Sequence, residues 1–528
     1  MTAPDHDRRP VTSDAAGAAN SVGRTWSVVL TGLAGHIIEV EADLSTQTPG
    51  FAIIGLPDKA IGEAQQRVHN ACGNSDLPLP RRRVVVNLSP ASLPKRGTGL
   101  DVAVAIAALA TELPLRISTM ATTIHLGELG LDGRLRPIPG ILPAVLAASK
   151  AGFDRVIVPA ACFDEARLVD GMEVIGAVNL RDVARFHGLD VDSVEQDPVP
   201  ARRAQTASRD VPDLGDVVGQ REATDALVVA AAGGHHLLMT GPPGAGKTML
   251  ARRLPGILPE LDDGSAMQAA ALRSLDGQPV ARLDRTPPFE APHHSASVTA
   301  LVGGGSRSVT PGAIARAHGG VLFLDEAGEF GPHALNALRQ PLEAGEIEIH
   351  RSGFQVHFPA RFQLVLATNP CPCGQYGVPG GSCSCPSLAV RRYLGRLSGP
   401  LLDRIDIELP MRRVSLAQMR DTSSVTTSAQ ARERVSEARA RAARRLADTP
   451  ALTNAQTSGE WLRNGPHAPD AGVRRPLDAA LQRGVLSLRG YDRVLRVAWT
   501  LADLAGRDHL ALDDVGAALF LKKGSVAA

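Results

Sequence analysis

The sequence contains few aromatic residues, few cysteines and no long apolar run. Aromatic residues make up 3% of the 528 residues, and only six residues are cysteine. No stretch of about 18 uncharged apolar residues occurs, so no membrane-spanning segment is predicted. The first two dozen residues lack the apolar centre of a secretion signal, which favours a cytoplasmic protein. Disulfides are disfavoured in that compartment, so we expect the cysteines to be thiols or metal ligands.

An excess of charge of one sign is also missing. Lysine and arginine number 56 against 55 aspartate and glutamate residues, which gives a net charge of +1 at pH 7. This balance gives no support for a broadly basic coat for nucleic acid, so any DNA or RNA contact is expected to be local, for example along a channel. The chain is too long for one ordinary hydrophobic core, and about two to four domains are expected.

Composition and periodicity divide the chain into five parts. These are a polar, disordered tail (1–24), an N-terminal domain of short strands and helices (25–189), a polar linker (190–213), a nucleotide-binding domain (214–409) and a helical C-terminal domain (410–528). In the last part, residues 428–446 predict a long helix. Residues 449–472 are rich in Pro, Gly, Asn and Thr, which predicts a mobile loop.

A phosphate-binding loop is the most informative motif. Residues 241–248 have the pattern G-x-x-x-x-G-K-T, between an apolar strand at 236–239 and the start of a helix. Glycines let backbone N–H groups surround phosphate oxygens, Lys247 supplies a positive charge, and the Thr248 hydroxyl holds Mg²⁺. The motif therefore predicts binding of ATP with Mg²⁺. The nucleotide-binding residues predicted here are Gly241, Pro242, Pro243, Gly244, Ala245, Gly246, Lys247, Thr248 and Met249.

Two further apolar strands end in polar residues that suit ATP hydrolysis. Residues 321–324 lead to Asp325, predicted to hold the Mg²⁺ shell, and to Glu326, predicted to polarise the attacking water. Residues 362–368 lead to Asn369, which at the tip of such a strand in additional-strand (AAA+) ATPases orients water near the γ-phosphate. A small-molecule kinase does not need Glu326, so the pattern favours a hydrolase.

Two arginines are candidates for contacting the γ-phosphate. Arg404 lies on a turn from which its own nucleotide is difficult to reach, so it suits insertion into a neighbouring subunit's site as an arginine finger. The alternative is a surface arginine paired with Asp403 or Asp406. Arg489 begins a C-terminal helix and is interpreted as the lid arginine, with Arg493 and Arg496 in reserve. Catalysis by a neighbour requires a homo-oligomer, and a hexamer is the expected closed ring.

Several further stretches resemble the YifB/ComM family of magnesium-chelatase-like AAA+ ATPases. They lie at 55–58, 216–220, 230–238, 291–297, 369–374 and 397–404, and the similarity runs from about residue 27 to residue 506. The resemblance implies an α/β AAA+ core with a C-terminal helical lid, in which Val218 and Gly219 line the adenine pocket. It also implies a ring motor, a DNA helicase or translocase that promotes branch migration in recombination of incoming DNA. The alternative is a chelatase-like motor that remodels a protein partner.

The same resemblance draws attention to two segments outside the phosphate loop. Residues 346–356 predict a β-hairpin, and related ring helicases point such hairpins into the central pore. His350 and Arg351 are its local cations for a DNA backbone, although an exposed loop arginine explains Arg351 equally well. His293 and His294 are adjacent, which does not suit one metal ion. We interpret them as family-specific contacts near the subunit interface or the pore, with no assigned role.

Four of the cysteines form a cluster with the spacing C-x-C-x₉-C-x-C. The residues are Cys371, Cys373, Cys383 and Cys385. Four close thiolates suit a tetrahedral Zn²⁺ site, yet C-x-C is tighter than the usual C-x₂-C spacing, so four free thiols remain the alternative. Four sulfur ligands leave no open position on a metal. A bound zinc would therefore be structural and would brace the segment that leads to Arg404.

The N-terminal domain resembles the Lon-type proteolytic domain, an α+β fold of the ribosomal S5 domain 2-like class. Lon-type proteases use a Ser–Lys dyad, but here the serine position falls at or next to Gly99 and the lysine position near Leu142. Thr98 still needs a lysine beside it, so the domain is expected to be catalytically inactive. It is interpreted as a scaffold or a DNA-contacting module. Residues 81–83 are its most basic run, with a solvated strand entry as the alternative.

Overall fold

The structure is a computed structural model that describes residues 22–54, 59–93, 95, 98–200, 211–305, 309–351, 354–378, 380–415, 417–418 and 425–523. The predicted tail lies outside these ranges except for 22–24, where the first strand already begins at Gly23. The 55–58 motif also lies outside them. Of the predicted linker, residues 190–200 contain no helix or strand, and 201–210 are outside the described residues. Within the described ranges, no helix has the length and apolar character needed to cross a bilayer.

The N-terminal domain is built on a seven-stranded mixed sheet in the order β3-β4-β2-β1-β5-β8-β9. Strand β4 shows why these residues form strands: Val84, Val86 and Leu88 are buried and alternate with half-exposed positions, which is the two-residue period of a sheet with one face in the core. The strands of the domain are β1 (Gly23–Thr31), β2 (Ala34–Ser45), β3 (Gly50–Ile54), β4 (Arg83–Ser89), β5 (Thr123–His125), β6 (Glu128–Leu129), β7 (Leu135–Arg136), β8 (Arg155–Pro159) and β9 (Glu173–Ala177).

Helices cover this sheet. Every residue of the Ala/Val/Ile-rich helix Asp101–Leu109 is buried, and the one charged residue, Asp101, is paired with Arg67 at 2.9 Å. The burial of a carboxylate is tolerated because that ion pair and the Leu129 backbone N–H satisfy it. The helices of the domain are α1 (Lys59–Asn74), α2 (Asp101–Leu109), α3 (Ile117–Ala121), α4 (Ile141–Lys150), α5 (Phe163–Ala166) and α6 (Leu180–Phe186).

The nucleotide-binding domain contains a five-stranded parallel sheet in the order β11-β14-β17-β10-β18. One strand, β17, separates the strand before the phosphate loop (β10) from the strand that ends at Asp325 (β14), as the additional-strand prediction requires. The prediction of an α/β core is confirmed, and its sheet is parallel. The strands are β10 (Leu237–Thr240), β11 (Phe289–Glu290), β12 (Gly303–Gly304), β13 (Thr310–Pro311), β14 (Val321–Leu324), β15 (Glu346–Arg351), β16 (Phe354–Pro359), β17 (Gln363–Thr368) and β18 (Ile407–Pro410).

Ten α-helices of the described residues belong to this domain. The longest are α7, which packs below the phosphate-loop strand, and α10, which faces the N-terminal domain. The helices are α7 (Arg221–Gly233), α8 (Lys247–Ala251), α9 (Leu254–Ile257), α10 (Asp263–Leu275), α11 (Val298–Val302), α12 (Ala313–Arg316), α13 (Pro332–Asn336), α14 (Arg339–Ala344), α15 (Ser387–Leu394) and α16 (Gly399–Leu402). The predicted hairpin is also present, because β15 and β16 pair antiparallel.

The C-terminal region is helical, as predicted, and shares one hydrophobic cluster with the nucleotide-binding domain. Its longest helix starts at a capping box formed by Thr427 and Gln430, which satisfies N–H groups at the helix start. The helices are α17 (Ser428–Arg445), α18 (Gly459–Asn464), α19 (Ala471–Gln482), α20 (Leu488–Leu504) and α21 (Leu512–Lys523).

The prediction of a mobile loop at 449–472 is wrong. This segment contains a 3₁₀ turn (Asn454–Gln456) and helix α18, and Asn454 is 3% exposed. The Asn454 amide donates to Asp503 (2.7 Å) and to Thr500 (3.0 Å), so its polar side chain is satisfied inside the protein. Turn-forming residues indicate only the local conformational preference of the chain. Here hydrogen bonds to residues distant in sequence hold the segment in place.

The N-terminal domain is joined to the nucleotide-binding domain through α4 and α10. The Leu142 backbone N–H donates to Ser274 Oγ (3.2 Å) and to Glu165 (3.3 Å), and burial raises the pKa of Glu165. Ala270 and Ala271 of α10 belong to the hydrophobic cluster of the N-terminal domain. The two domains therefore share part of their cores.

Two buried histidines in the N-terminal domain make its stability sensitive to acid. The Nε2 atoms of His125 and His187 lie 2.8 Å apart. Burial lowers the pKa of His125 to about 4, and burial together with His125 lowers the pKa of His187 to about 3. Both rings are neutral in the folded protein but titrate near 6.5 when unfolded, so the unfolded state binds more protons below that pH.

We therefore expect the N-terminal domain to be most stable above pH 6.5 and to lose stability between pH 6.5 and pH 4, by roughly 1.4 kcal/mol per pH unit for each histidine. Urea unfolding followed by Trp26 fluorescence, in a chain with Trp461→Phe and Trp499→Phe, measures this. His187→Gln removes one titrating group and should reduce the slope by about half. Equal stability at pH 7 and pH 5 contradicts the prediction.

Candidate nucleotide site

The phosphate loop follows β10 at the carboxyl edge of the parallel sheet. Gly244 and Gly246 have φ angles of +78° and +84°, a conformation that favours glycine, and Gly246 caps helix α8. Lys247 begins that helix and is 9% exposed. Its Nζ donates to the carbonyl oxygens of Gly241 (2.6 Å) and Pro242 (3.1 Å) and to Asn369 Oδ1 (3.0 Å). Burial lowers the pKa of Lys247, an effect that Asp325 and Glu326 oppose.

The structure places the predicted magnesium ligands next to each other. The Thr248 hydroxyl donates to Asp325 Oδ2 at 2.6 Å. Thr248 lies in the first turn of α8, and Asp325 follows β14, so the two chain segments meet at the same edge of the sheet. A hydroxyl and a carboxylate at this distance offer two of the hard oxygen ligands that Mg²⁺ prefers.

Glu326 occupies an unusual backbone conformation beside these groups. Its φ and ψ angles are +50° and +45°, the left-handed region, which costs a non-glycine residue about 1–2 kcal/mol. The conformation is held locally, because the Glu326 N–H donates to Asp325 Oδ1 at 2.9 Å. The Glu326 side chain is exposed.

Sequence spacing predicts no role for the adjacent residues His293 and His294. The structure places His294 beside Glu326. His294 Nδ1 lies 3.1 Å from Glu326 Oε2, and the rings of His293 and His294 are 4.0 Å apart. His293 in turn bonds the Ser295 hydroxyl at 2.8 Å. This contact places the imidazole of His294 against one carboxylate oxygen of Glu326, which would restrain the orientation of that side chain. Only long-range packing reveals this contact.

His294→Ala is expected to lower the kcat for ATP hydrolysis by roughly 10–100-fold, because a base that is misplaced by about 1 Å loses this much. The affinity for ATP should stay unchanged, since His294 bonds Glu326 and none of the loop residues in the described part of the chain. Steady-state kinetics together with nucleotide titration separate the two effects. His333→Ala, at an exposed position on α13, is the control. An unchanged kcat contradicts the orienting role.

The residues implied to line the adenine pocket lie beside the phosphate loop. Val218 is 39% exposed, and Gly219 has a φ of +73°. A Cβ atom on Gly219 would lie 2.4 Å from Val414 Cγ1, so only glycine fits there. Gln220 then donates to the carbonyl oxygens of Ala245 (3.2 Å) and Arg412 (2.8 Å). These bonds tie the pocket segment to the phosphate loop and to the chain that follows β18.

Arg404 and Arg489 lie far from their own phosphate loop. Arg404 precedes β18, a strand that runs parallel to β10 and pairs with it from its first residue. Arg404 therefore lies where these strands begin, at the opposite end from the phosphate loop that follows β10. Its side chain is 12% exposed and contacts Glu343 of α14, with the Nε atom buried and unpartnered among the described residues. Burial, followed by the guanidinium groups of Arg339, Arg493 and Arg489, lowers the pKa of Arg404.

Arg489 is exposed and lies at the same end of the sheet as Arg404. It is one helical turn before Arg493 in α20, and the Arg493 Nη1 donates to Asp406 Oδ1 at 2.7 Å. Asp406 also contacts His235 Nδ1 at 3.1 Å. Asp406 is thus committed to Arg493, and the considered pairing of Arg404 with this aspartate does not occur. The other reserve arginine, Arg496, donates to the Thr457 carbonyl oxygen at 2.9 Å.

The four cysteines come together immediately after Asn369. Their four sulfur atoms all lie within 4.8 Å of one another. The distance from Cys371 is 3.3 Å to Cys373 and 3.8 Å to Cys383, and Cys373 and Cys383 are 3.6 Å apart. Zinc–sulfur bonds of about 2.3 Å in a tetrahedron separate the sulfurs by about 3.8 Å. The cluster is therefore compatible with zinc. The Gln375 N–H, followed by neighbouring sulfurs, lowers the pKa of Cys373.

The position of the Lon-type dyad holds no catalytic pair. Gly99 lines an apolar pocket of about 210 Å³ beside Thr98, whereas Leu142 is fully buried at the junction of the domains. Lys95 is also fully buried, and its Nζ contacts the Pro90 and Leu93 carbonyl oxygens rather than Thr98. Among the described residues that line this pocket there is no lysine, histidine or acid.

A larger cavity than the pocket beside Gly99 lies elsewhere. It measures about 1310 Å³ and lies between the N-terminal domain, α10, the base of the hairpin and the 450–456 segment. Its lining includes Glu343, the partner of Arg404, and Arg496, but no residue of the phosphate loop. It is at the sheet edge opposite the loop, so its size does not identify the nucleotide site, which we assign from the loop geometry instead.

Comparison with known proteins finds similarity over almost the whole chain. Three family profiles match: "Magnesium chelatase, subunit ChlI" at residues 213–419, "Subunit ChlI of Mg-chelatase" at 40–162, and "Magnesium chelatase, subunit ChlI C-terminal" at 425–522. An uncharacterized protein of Mycobacterium tuberculosis (strain ATCC 25618 / H37Rv) is 47% identical over 512 residues, which cover 95% of this chain and 99% of that protein.

Two further relatives bear the names already suggested by the motifs. The competence protein ComM of Haemophilus influenzae is 40% identical over 493 residues, covering 93% of this chain and 95% of ComM. The uncharacterized protein YifB of Escherichia coli (strain K12) is 39% identical over 477 residues, covering 89% and 91%. With a parallel sheet of additional-strand order and a C-terminal helical region, this chain belongs to the YifB/ComM family of magnesium-chelatase-like AAA+ proteins.

Proposed function

We propose that the protein is an ATP-hydrolysing ring motor that acts on DNA, a ComM-like helicase or translocase that promotes branch migration in recombination of incoming DNA. The observation that supports it best is the division of the catalytic groups. Lys247, Thr248, Asp325 and Asn369 assemble at one edge of the sheet, whereas Arg404 is at the other edge. Each chain would then present the phosphate-loop part of a site on one face and the arginine part on another. A closed ring would bring the first part of one subunit against the second part of its neighbour.

ATP and Mg²⁺ fit the first of these faces. The loop N–H groups and Lys247 would hold the phosphates, and Thr248 with Asp325 would hold Mg²⁺, which neutralises charge on the phosphates when bound. Asn369 would release Lys247 and orient the attacking water, and Glu326 would accept the proton of that water. Because Lys247 bonds Asn369 and Thr248 bonds Asp325, nucleotide binding would exchange internal hydrogen bonds for bonds to phosphate and metal.

The second face would complete the site of the next subunit. Arg404 and Arg489 lie near each other, and neither reaches the loop of its own chain. In a ring of six, each junction would bring this pair of guanidinium groups to the γ-phosphate of the neighbour. Arg489 is thus proposed to contact the neighbour's nucleotide.

The hairpin β15–β16 is the proposed DNA contact. Its base is held by Ile347, Val356 and Phe358, each at most 2% exposed, whereas His350 near the tip is exposed. The side chain of Arg351 lies outside the described residues. A buried base with an exposed polar residue near the tip suits a rigid element that reaches into a channel. The N-terminal domain, inactive as a protease, would be a scaffold with exposed Arg81 and Arg82 available to DNA.

ATPase assays with and without single-stranded and forked DNA test the proposal. We expect DNA to stimulate hydrolysis. Replacing His350 and Arg351 together by alanine should weaken the stimulation and reduce the slope of log affinity against log salt by about 1 for each phosphate that the variant no longer neutralises. His357→Ala, an exposed cation position of the same hairpin nearer its base, is the matched control and should keep the stimulation.

Two outcomes would overturn the DNA motor. Hydrolysis that ignores DNA but responds to a large protein subunit would favour the chelatase-like remodelling motor, the second candidate, which the names of the matching family profiles support. Absence of hydrolysis under every condition would remove both candidates.

A further inference from the structure

We propose that the four-cysteine segment forms a wall of the nucleotide site, so that zinc bound to the cysteines sets the affinity for ATP. The inference rests on the proposed binding of ATP at the phosphate loop. It goes beyond that function, because it makes nucleotide binding depend on a metal ion that touches no phosphate.

The wall is formed at Gly374. A Cβ atom on Gly374 would lie 2.4 Å from Cδ and 2.9 Å from Cγ of Pro243, distances that real Cβ atoms do not show. Pro243 is part of the phosphate loop, so the Gly374 backbone packs directly on that loop. The φ of Gly374 is +74°, which also favours glycine. The loop conformation and the path of the cysteine segment therefore depend on each other.

The segment is also attached on the other side of the loop. The Gly241 N–H donates to the Thr368 carbonyl oxygen at 3.2 Å, and Lys247 donates to Asn369 at 3.0 Å. Cys371 follows two residues later and is fully buried. The first proposed metal ligand is therefore two residues from Asn369, which accepts a hydrogen bond from Lys247.

Bonds inside the segment connect the sulfurs to Gly374. The Gly374 N–H donates to the Cys371 carbonyl oxygen at 2.9 Å, and the Tyr376 N–H donates to Cys371 Sγ at 3.3 Å. These bonds fix the turn around Cys371. The second pair, Cys383 and Cys385, is joined to this turn through the sulfur cluster.

Zinc would keep that cluster together. Its sulfurs lie 3.3–3.8 Å apart, close to the spacing of about 3.8 Å between sulfur ligands of one tetrahedral zinc, so a bound ion would fix them in place. Four thiolates in tetrahedral reach select Zn²⁺ over the hard cation Mg²⁺. Without zinc the turn at Gly374 is no longer held against Pro243, and the loop loses a wall that keeps its N–H groups directed at phosphate.

The test uses the full chain in three states: zinc-loaded, stripped with a thiol-directed reagent plus chelator and then reduced, and reloaded with zinc. Metal analysis should find one zinc per chain in the loaded state. Isothermal titration with ATP should show at least about 10-fold weaker binding after stripping, with recovery on reloading. Circular dichroism confirms that the stripped chain is still folded.

A pair of glycine variants tests the contact without removing the metal. Gly374→Ala should keep its zinc and weaken ATP binding, because the new methyl group displaces Pro243. Gly377→Ala is the matched control, since Gly377 has a similar φ of +68° in the same segment but nothing within 4 Å of its Cβ position. It should keep both zinc and ATP affinity.

Three results would overturn the inference: no zinc in the purified chain, equal ATP affinity in the loaded and stripped states, or equal ATP affinity in the two glycine variants. The last two leave ATP binding itself intact, so they reject only the coupling. A zinc-loaded, unmodified chain that binds no ATP rejects the proposed nucleotide function together with the coupling.

Discussion

Glu326→Gln is expected to reduce ATP hydrolysis by about 10²–10⁴-fold, the usual contribution of a general base. The amide keeps the shape of the side chain but cannot accept a proton from water. ATP should still bind, because Lys247, Thr248 and Asp325 are unchanged and make the phosphate and metal contacts of the proposed site. Single-turnover hydrolysis, with nucleotide affinity measured by titration, separates the two effects.

Two further variants are compared with Glu326→Gln. Lys247→Ala should lose ATP binding as well as hydrolysis, because the buried ammonium is removed. Glu329→Gln is the matched control, since Glu329 is an exposed acid three residues away that pairs with Arg396 at 3.0 Å. It should hydrolyse ATP normally. Hydrolysis by Glu326→Gln at the unmodified rate means that another group activates the water.

Arg404→Ala is expected to lower hydrolysis by about 10³–10⁵-fold, the range for arginine fingers. The side chain lies at the sheet edge opposite its own loop, so the loss should come from the neighbour's site. Mixing Arg404→Ala chains with Lys247→Ala chains then restores activity, because some junctions combine an intact loop with an intact arginine. ATPase rates over a series of mixing ratios measure this recovery.

Arg434→Ala is the control for the loss of one positive charge, at an exposed position on α17. It should leave hydrolysis unchanged. Mixtures that stay inactive at every ratio, together with full activity of isolated single chains, would falsify the trans arrangement. The contact with Glu343 adds a detail: Glu343→Gln should weaken the hold on Arg404 without removing its charge.

Features encoded by contiguous residues were predictable from the sequence. Lys247, Asp325 and Asn369 each follow a buried apolar strand. Parallel strands end at one edge of a sheet, and the structure places these residues near each other there. The hairpin was predictable for a similar reason, because alternating residues in 346–356 identify two paired strands.

Contacts between segments remote in sequence were not predictable. The His294–Glu326 contact and the packing of Gly374 on Pro243 join segments whose proximity depends on how the whole domain packs. For the 449–472 segment the sequence-based prediction was wrong. Its composition predicts mobility, yet Asn454 is held by residues of α20 that only the folded chain brings near. Local composition contains no information about such partners.

The shared core between α4 and α10 has a mechanical consequence. A helix that contributes Ala270 and Ala271 to the neighbouring hydrophobic cluster cannot turn independently of that cluster. Any tilting of the nucleotide-binding domain during ATP turnover would therefore move the sheet of the N-terminal domain with it. In the proposed ring, the two domains of each subunit would then move together at the α4–α10 contact.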